Sequence, residues 1–201
     1  MARTAGSSGA KTLKAIRKVA IRQIHERGYE AMNLRQLAAD VGIQAGSLYN
    51  HIRNKQDLLF EIMRTVMTDL HEGLDAGLVG AANPPEQMHA FIDHHIRFNA
   101  KRRKEVFIST MEMRSLSREN YKSIVASRTD YEDRLRGILR DGKDQGYWTY
   151  DDLDVSAYAL LAMLSGIVTW YRASGRLTIE ELIEAYNDIA LKSLNAGKVL
   201  N

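Results

Sequence analysis

Residues 33–52 read NLRQLAADVGIQAGSLYNHI, and this stretch decides the fold. Its first half predicts an amphipathic helix, because apolar residues recur at i, i+3, i+4 and i+7. These residues are Leu34, Leu37, Ala38 and Val41. Asn33 stands where an N-cap is expected, and Gly42 ends the helix. Ile43 and Leu48 then anchor a second short helix that leaves small and polar side chains facing outward, so the stretch predicts two helices joined at a glycine.

Helical patterns flank this pair on both sides. The preceding helix ends near Gly28, and the following helix runs from Lys55 to Leu70 and beyond. Their apolar stripes comprise Leu13, Ile16, Ala20 and Ile24 before the pair and Leu58, Leu59, Ile62, Val66 and Leu70 after it. The sequence therefore predicts a three-helix head that leads into a long fourth helix. Residues 1–10 have no apolar core, and we expect a flexible tail rather than a signal peptide.

Positive charge is concentrated in the head. Residues 1–71 carry 11 Lys and Arg against 6 Asp and Glu, whereas residues 72–201 carry 17 against 19. Lysine and arginine grouped in this way favour contact with a polyanion such as DNA. The chain has no cysteine, which excludes disulfides and thiolate metal sites and fits a reducing cytoplasm.

The rest of the chain reads as helices. Its two prolines are adjacent, at Pro84 and Pro85, and no strand-like alternation of useful length occurs. The predicted helices span residues 85–100, 105–115, 118–144, 155–171 and 179–194. The predicted fold class is therefore all-α, with about nine helices. A helix-turn-helix head occupies residues 11–72, and a larger helical-bundle body occupies residues 73–201.

Residues 155–171 contain no charge but fall just short of the roughly 20 residues needed to cross a bilayer. We interpret them as a fully buried helix, in which small residues let another helix approach. Together with the amphipathic last helix they predict a dimer interface. Its candidate residues are Ala162, Ser165, Gly166, Thr169, Leu182, Tyr186 and Ile189. The alternative is that both helices only fill the core of one subunit.

The head resembles the DNA-binding domain of the TetR/AcrR family of transcriptional regulators. The resemblance rests on motifs that fall at the family's offsets together. They are Arg27-Gly28-Tyr29, residues 33–38, Val41-Gly42-Ile43, residues 46–51 and residues 55–59. It implies a second helix that enters the DNA major groove of a roughly palindromic operator.

The polar surface of the second helix supplies the candidate DNA contacts. Gln44, Ser47 and Asn50 have side chains suited to base edges, and Ala45 suits a thymine methyl group. The contacts to the DNA backbone are assigned to Tyr49, His51 and Lys55, with Arg35 at a phosphate or a base. Gly46 would allow close approach to DNA. With Asn33, these residues make up the predicted site.

The body resembles the branch of the family that senses acyl-CoA thioesters in fatty-acid or sterol catabolism. The segments that carry this resemblance are residues 112–116, 128–132, 146–148, Asp154 and residues 170–182. The implied effector is an acyl-CoA in an apolar tunnel walled by Phe107, Met111, Tyr121, Ile124, Leu135, Leu161 and Met163. Its anionic groups would meet Arg102, Arg103, Arg114 or Arg128. The apolar residues also suit an ordinary core, and a drug or aromatic metabolite is the alternative effector.

A metal-dependent helical enzyme is a remote alternative. His89, Asp93, His94, His95 and Glu105 are its only suggestion, since histidine and carboxylate suit a divalent ion. The sequence has no His-Glu-x-x-His motif, nucleophile elbow or glycine-rich phosphate loop. We therefore expect no enzyme activity, catalytic residue, metal or cofactor. A non-specific architectural DNA protein is the third possibility.

The sequence thus predicts a cytoplasmic, homodimeric transcriptional regulator, most simply a repressor. Its partners would be operator DNA, a second copy of the chain and a small apolar effector, with no membrane. A two-fold axis would place the paired recognition helices in successive major grooves about 34 Å apart.

Overall fold

The computed structural model describes residues 5–195, and within that range the chain forms ten α-helices, one 3-10 turn and no strand. The helices are α1 (Ala5–Arg27), α2 (Leu34–Val41), α3 (Ala45–Leu48), α4 (Lys55–Leu78), α5 (Pro84–Lys101), α6 (Arg103–Met111), α7 (Arg118–Asp144), α8 (Leu153–Ser165), α9 (Ile167–Trp170) and α10 (Ile179–Ser193). The 3-10 turn Met113–Ser115 lies between α6 and α7. The all-α prediction is confirmed.

The chain folds as two compact units. Within residues 5–195, the head unit comprises the residues up to Val66 together with Lys104–Ile124, and the body unit comprises Met67–Arg103 and the residues from Val125 onward. This division differs from the predicted boundary after residue 72, because α6, the 3-10 turn and the first turns of α7 pack with the head.

The head is built on the apolar stripes that the sequence displays. Its buried residues include Ile16, Ala20 and Ile24 of α1, Leu37 and Ala38 of α2, Leu48 of α3, and Leu58, Leu59 and Ile62 of α4. Asn33 caps α2 as predicted, since its Oδ1 accepts from the backbone N–H of Arg35 at 2.8 Å and of Gln36 at 3.3 Å. Gly42 ends α2 at a φ of 80°, a conformation that glycine adopts without strain.

Helix α1 begins at Ala5, inside the segment that the sequence analysis assigns to a flexible tail. The assignment of residues 5–10 to a flexible tail is therefore corrected, because they belong to α1. Extending an existing helix adds one backbone hydrogen bond per residue without a new nucleation cost, which explains the longer helix. The remaining tail positions, residues 1–4, lie outside the described residues.

The body unit packs its helices around α5. Phe91, Ile92 and Ile96 of α5 are fully buried, as is Leu135 of α7. On the surface, the Arg97 guanidinium joins α5 to α10 by a 3.0 Å ion pair with Glu180. Helix α10 starts with a capping box, in which Thr178 Oγ1 accepts from Glu181 N–H and the Glu181 carboxylate accepts from Thr178 N–H.

The uncharged segment 155–171 is neither one helix nor fully buried, which corrects the prediction. Helix α8 ends at Ser165 and α9 begins at Ile167. One side of α8 packs in the body, while an apolar row at i, i+3, i+4 and i+7 stays exposed. This row is Val155, Tyr158, Ala159 and Ala162. Leu153–Trp170 is apolar enough for a membrane span by length and composition alone, but a core helix of a soluble protein can meet the same criterion.

Candidate functional site

The surface around α3 brings together most of the predicted DNA contacts. Gln44, Ala45, Gly46, Tyr49 and Asn50 are exposed, and Ser47 is half-buried. Gln44 makes no side-chain cap to α3, so its amide remains available on the surface. Leu48 anchors α3 in the core of the head unit, where its side chain is fully buried. One apolar anchor thus supports a compact polar and aromatic surface.

Gly46 has no packing reason to be glycine. A Cβ built on it meets no heavy atom within 4 Å among the described residues. The missing side chain therefore leaves space on the outer face of α3, where a bound duplex would lie. This geometry fits the predicted close approach to DNA.

Lys55 lies at the start of α4 in a fixed position. Its Nζ donates to the Glu30 carbonyl at 2.9 Å and lies 4.3 Å from the centre of the Tyr29 ring. Because an ammonium has three donors, this arrangement leaves hydrogen atoms for a phosphate. Burial, followed by the charge of Glu30, raises the pKa of Tyr29, so its ring is a neutral support for the lysine.

Three further predicted contacts have different surroundings. The Arg35 side chain is exposed on α2. The Asn33 side chain serves as the helix cap, which occupies its oxygen and leaves only its amide donors for DNA. His51 is half-buried and lines a shallow hollow of about 220 Å³ with Leu13 and Arg17, so it also packs against α1.

Several basic residues of the head pair with carboxylates rather than projecting freely. Arg17 and Arg64 both contact Glu61, at 3.4 and 2.7 Å. Hydrogen bonds from Arg64 lower the pKa of the Glu61 carboxyl. Hydrogen bonds from Gln36 and then Gln23 lower the pKa of Asp40. These pairs brace α1, α2 and α4 against one another.

A set of contacts that sequence reasoning missed fastens α6 and the 3-10 turn to the head. Glu112 Oε1 accepts from the backbone N–H of Tyr29 at 3.0 Å, and its Oε2 accepts from Ser115 Oγ at 2.8 Å. Gln56 donates to the Ser115 carbonyl and accepts from Ser117 N–H at 3.0 Å. We call these contacts of Glu112 and Gln56 the clamp. Its three contacts with Tyr29 and Gln56 join residues 59 to 83 positions apart, so no local pattern signals them.

Three predicted effector residues lie together beside this clamp. Phe107, Met111 and Arg114 line a cleft of about 480 Å³ between the end of α1 and the end of α6. The side of α1 contributes Ile24 and His25. We call it the α1–α6 cleft.

The other predicted effector residues do not line this cleft. Ile124 and Leu135 are buried core residues, Tyr121 is exposed, and Arg128, Leu161 and Met163 are half-buried. Arg102 pairs with Asp69 and stacks on Phe98, and Arg103 Nε donates to the Val168 carbonyl at 2.9 Å. Each of these guanidinium groups thus has an intramolecular partner, and the contact of Arg102 and Arg103 with an anionic ligand stays a prediction.

The predicted dimer residues divide between surface and core. Ala162, Thr169 and Ile189 are exposed, while Gly166 and Tyr186 are half-buried. Leu182 is only 1% exposed in the single chain, so it is a core residue and not an interface residue. Ser165 likewise directs its hydroxyl inward, 3.1 Å from His95 Nε2. Both corrections have the same reason, because Ser165 of α8 and Leu182 of α10 lie on helices that pack against α5.

Three exposed aromatic or aliphatic side chains were missed from that surface. They are Val155, Tyr158 and Trp170. The Trp170 ring stacks on Tyr186 at 6.5 Å, and the Arg136 guanidinium lies 5.1 Å from the Tyr158 ring. The i, i+3, i+4, i+7 spacing of apolar residues within α8 could have indicated this exposed row. It was not used, because the whole segment was assumed to be buried.

The histidines considered for a metal site have other partners. No group of three potential metal ligands occurs among the described residues. His94 Nε2 donates to the Leu70 carbonyl at 2.8 Å, and His89 lies 3.3 Å from Glu184. His95 is buried between Tyr131 and Ser165, each 3.1 Å away, and burial lowers its pKa to about 3. These three histidines therefore make contacts within the body unit.

The fold and the polar surface of α3 together define a helix-turn-helix DNA-binding protein with a helical body. Residues 16–62 match the family described as bacterial regulatory proteins, tetR family, and residues 81–194 match the tetracyclin repressor-like C-terminal domain. These matches cover more than half of the chain, which therefore belongs to the TetR family. The protein is a transcriptional regulator and not an enzyme.

Two solved structures and a curated repressor are similar along most of their length. AibR, solved in complex with isovaleryl coenzyme A and operator DNA, is 32% identical, with a TM-score of 0.80 over 89% of this chain and 97% of that one. PfmR from Thermus thermophilus is 31% identical, with a TM-score of 0.80 over 88% and 97%. The HTH-type transcriptional repressor KstR2 of Mycobacterium tuberculosis is 27% identical and covers 95% of this chain and 96% of its own.

Proposed function

We propose that this protein is a ligand-responsive repressor that binds a palindromic operator as a homodimer and leaves it when a small apolar effector binds. The observation that carries the DNA-binding part is the exposed surface of α3, where Gly46 leaves an open face beside Gln44 and Tyr49. A regulator of this kind acts on DNA in the cytoplasm.

The base-reading and backbone-contacting roles predict different mutant behaviour. Gln44→Ala should weaken binding about 5- to 150-fold and relax base preference at one position, because an amide reads a base edge. Tyr49→Ala should weaken binding to all duplexes evenly, because a backbone contact carries no sequence information.

The operator can be selected from random duplexes with the purified protein and its affinity then measured by fluorescence anisotropy. We expect an inverted repeat whose half-sites are one helical turn apart, bound with an affinity that falls steeply with salt. Tyr147→Ala is the matched control, because Tyr147 is also an exposed tyrosine but lies in the body unit. Equal affinity for every duplex would indicate an architectural protein, and unchanged binding by both head variants would refute the recognition surface.

The homodimer is proposed from the exposed apolar side chains of α8, α9 and α10. A two-fold interface pairs the same surface of both subunits, so one apolar face can bury itself against its copy. Val155, Tyr158, Trp170 and Ile189 supply such a face. The helix α4, which continues from the head unit into the body unit, is our candidate for the lever that links ligand binding to recognition-helix spacing.

An acyl-CoA is the favoured effector class, because AibR was solved with isovaleryl coenzyme A and is 32% identical to this chain. Adding short- and long-chain acyl-CoAs to the operator complex should release DNA, with a change in affinity of about 5- to 150-fold for an ordinary allosteric coupling. Release by drugs or aromatic metabolites alone would identify the alternative effector class.

A further inference from the structure

The α1–α6 cleft has the size and composition of a small-molecule site. Its volume of about 480 Å³ lies within the range of roughly 300–1,000 Å³ that is usual for ligand pockets. All of its lining residues belong to the head unit, so it is formed where α6 packs against the end of α1.

One part of the cleft is apolar. Ile24 forms a buried base, while Phe107 and Met111 lie one helical turn apart on α6 and are 38% and 54% exposed. The Phe107 ring packs edge-on against His25, with 5.1 Å between ring centres. A hydrocarbon or aromatic group seated here would cover apolar surface that is otherwise in contact with water.

The other part of the cleft carries charge. The exposed Arg114 guanidinium is a cation that can bind a carboxylate or phosphate through two parallel hydrogen bonds. No ion pair joins Arg114 to a carboxylate among residues 5–195, where the nearby Glu112 oxygens accept instead from Tyr29 N–H and Ser115 Oγ. A cationic group therefore lies next to an apolar surface.

We propose that the α1–α6 cleft binds an amphipathic anion, with an acyl or aryl group against Phe107 and Met111 and a carboxylate or phosphate on Arg114. This inference deepens the proposed ligand response and gives it a place and a chemistry. The anionic group belongs either to a free carboxylic acid or to the phosphates of a nucleotide thioester, and both would use the same arginine.

A ligand in this cleft can affect the DNA-binding surface through a short series of contacts. Glu112 lines the cleft and also holds the backbone of Tyr29, whose ring supports Lys55. An anion bound at Arg114 brings negative charge near the Glu112 carboxylate and favours its displacement. The clamp then loosens, and Lys55 loses its fixed position.

The test measures ligand binding without DNA, so it is independent of whether an operator is ever found. Decanoate, decanoyl-CoA, coenzyme A and decanol are titrated into the full-length protein in a calorimeter. We expect decanoate or decanoyl-CoA to bind and decanol and coenzyme A to bind at least tenfold more weakly. Arg114→Gln should reduce binding at least tenfold, whereas Arg118→Gln, an exposed arginine on the neighbouring helix α7, should leave it unchanged.

Methyl-labelled methionine locates the bound probe. The Met111 methyl signal should shift on titration, while the signal of Met88, fully buried in the body unit, should not. Binding by decanoate identifies a carboxylate at Arg114, and binding only by decanoyl-CoA identifies the phosphates. Equal binding of decanol, an indifferent Arg114→Gln variant, a stationary Met111 signal or no binding of any probe would each overturn the proposal. Loss of DNA binding alone would overturn only the proposed function.

Discussion

Single side chains in this protein combine structural and functional tasks, and His95 is the clearest structural case. It lies between Tyr131 and Ser165 and stacks on Phe91 with 5.9 Å between ring centres. A neutral imidazole can donate from one nitrogen and accept at the other, which satisfies both hydroxyl partners. Burial, with the nearby charge of His94, lowers the pKa of His95 to about 3.

This buried histidine predicts a loss of stability in acid. Between pH 6.5 and 3 the unfolded chain binds a proton at His95 that the folded chain does not, so stability falls as the pH falls. The contribution is about 2 kcal/mol between pH 7 and pH 5, and urea unfolding at the two pH values measures it. In His95→Gln the stability difference between pH 7 and pH 5 should shrink by that amount. An unchanged difference would mean that His95 does not titrate in this range.

Residue-scale predictions from sequence succeed where the partner is close in the chain. Asn33 was predicted as a cap because the backbone N–H groups that donate to its side chain lie only two and three residues away. The intramolecular partners of Arg102, Arg103 and Ser165 were not predicted, because Asp69, Val168 and His95 are distant from them in sequence. The sequence shows which side chains can form such contacts but not which distant residue they meet.

Among the helices, α7 was predicted with its observed bounds, since Gly146 closes it with a φ of 78°. The segment 155–171 was predicted less well. Its lack of charge was taken as a sign of burial, although an interface with a second subunit has the same composition. Length and hydropathy identify an apolar helix, but they do not say which molecule covers it.

Two glycines inside α7 offer an internal comparison. A Cβ on Gly142 would lie 1.9 Å from Cζ2 of Trp148, whose Nε1 donates to the Leu139 carbonyl at 2.9 Å. Gly142→Ala should therefore destabilise the protein by about 1–3 kcal/mol, because the buried ring has to move. Gly137 meets nothing within 4 Å, so Gly137→Ala should stabilise by about 0.5–1 kcal/mol through helix propensity alone. Chemical denaturation measures both, and equal effects of the two variants would contradict the packing of Trp148.

At the scale of the whole molecule, the exposed apolar face of the body predicts its assembly. Ile189→Glu places a charge on that face in both copies at once, where it would be buried and repelled by its symmetry mate. We expect the variant to sediment as a monomer and to lose about 100-fold or more in operator affinity, because two linked heads no longer bind together. Val79→Glu is the control, since Val79 is an exposed aliphatic residue 83% accessible outside α8, α9 and α10. A dimeric Ile189→Glu protein would place the interface elsewhere.

The fold class and the family follow from the sequence because they depend on helix periodicity and on one compact motif. The division into units does not, because it depends on which distant helix packs with the head. No feature of residues 104–117 marks them as partners of Tyr29 and Gln56. For the candidate ligand cleft, the sequence analysis therefore named Phe107, Met111 and Arg114 but not the lining residues from α1.

The clamp also bears on how the chain is made. Tyr29 and Gln56 leave the ribosome long before Glu112, Ser115 and Ser117, the residues that bind them. The head unit therefore gains these contacts only after Ser117 has been synthesised. A fragment truncated after residue 72 would carry every side chain proposed to touch the operator and still lack the contacts that hold Tyr29 in place. Grafting this portion onto another protein would accordingly require residues 104–117 as well.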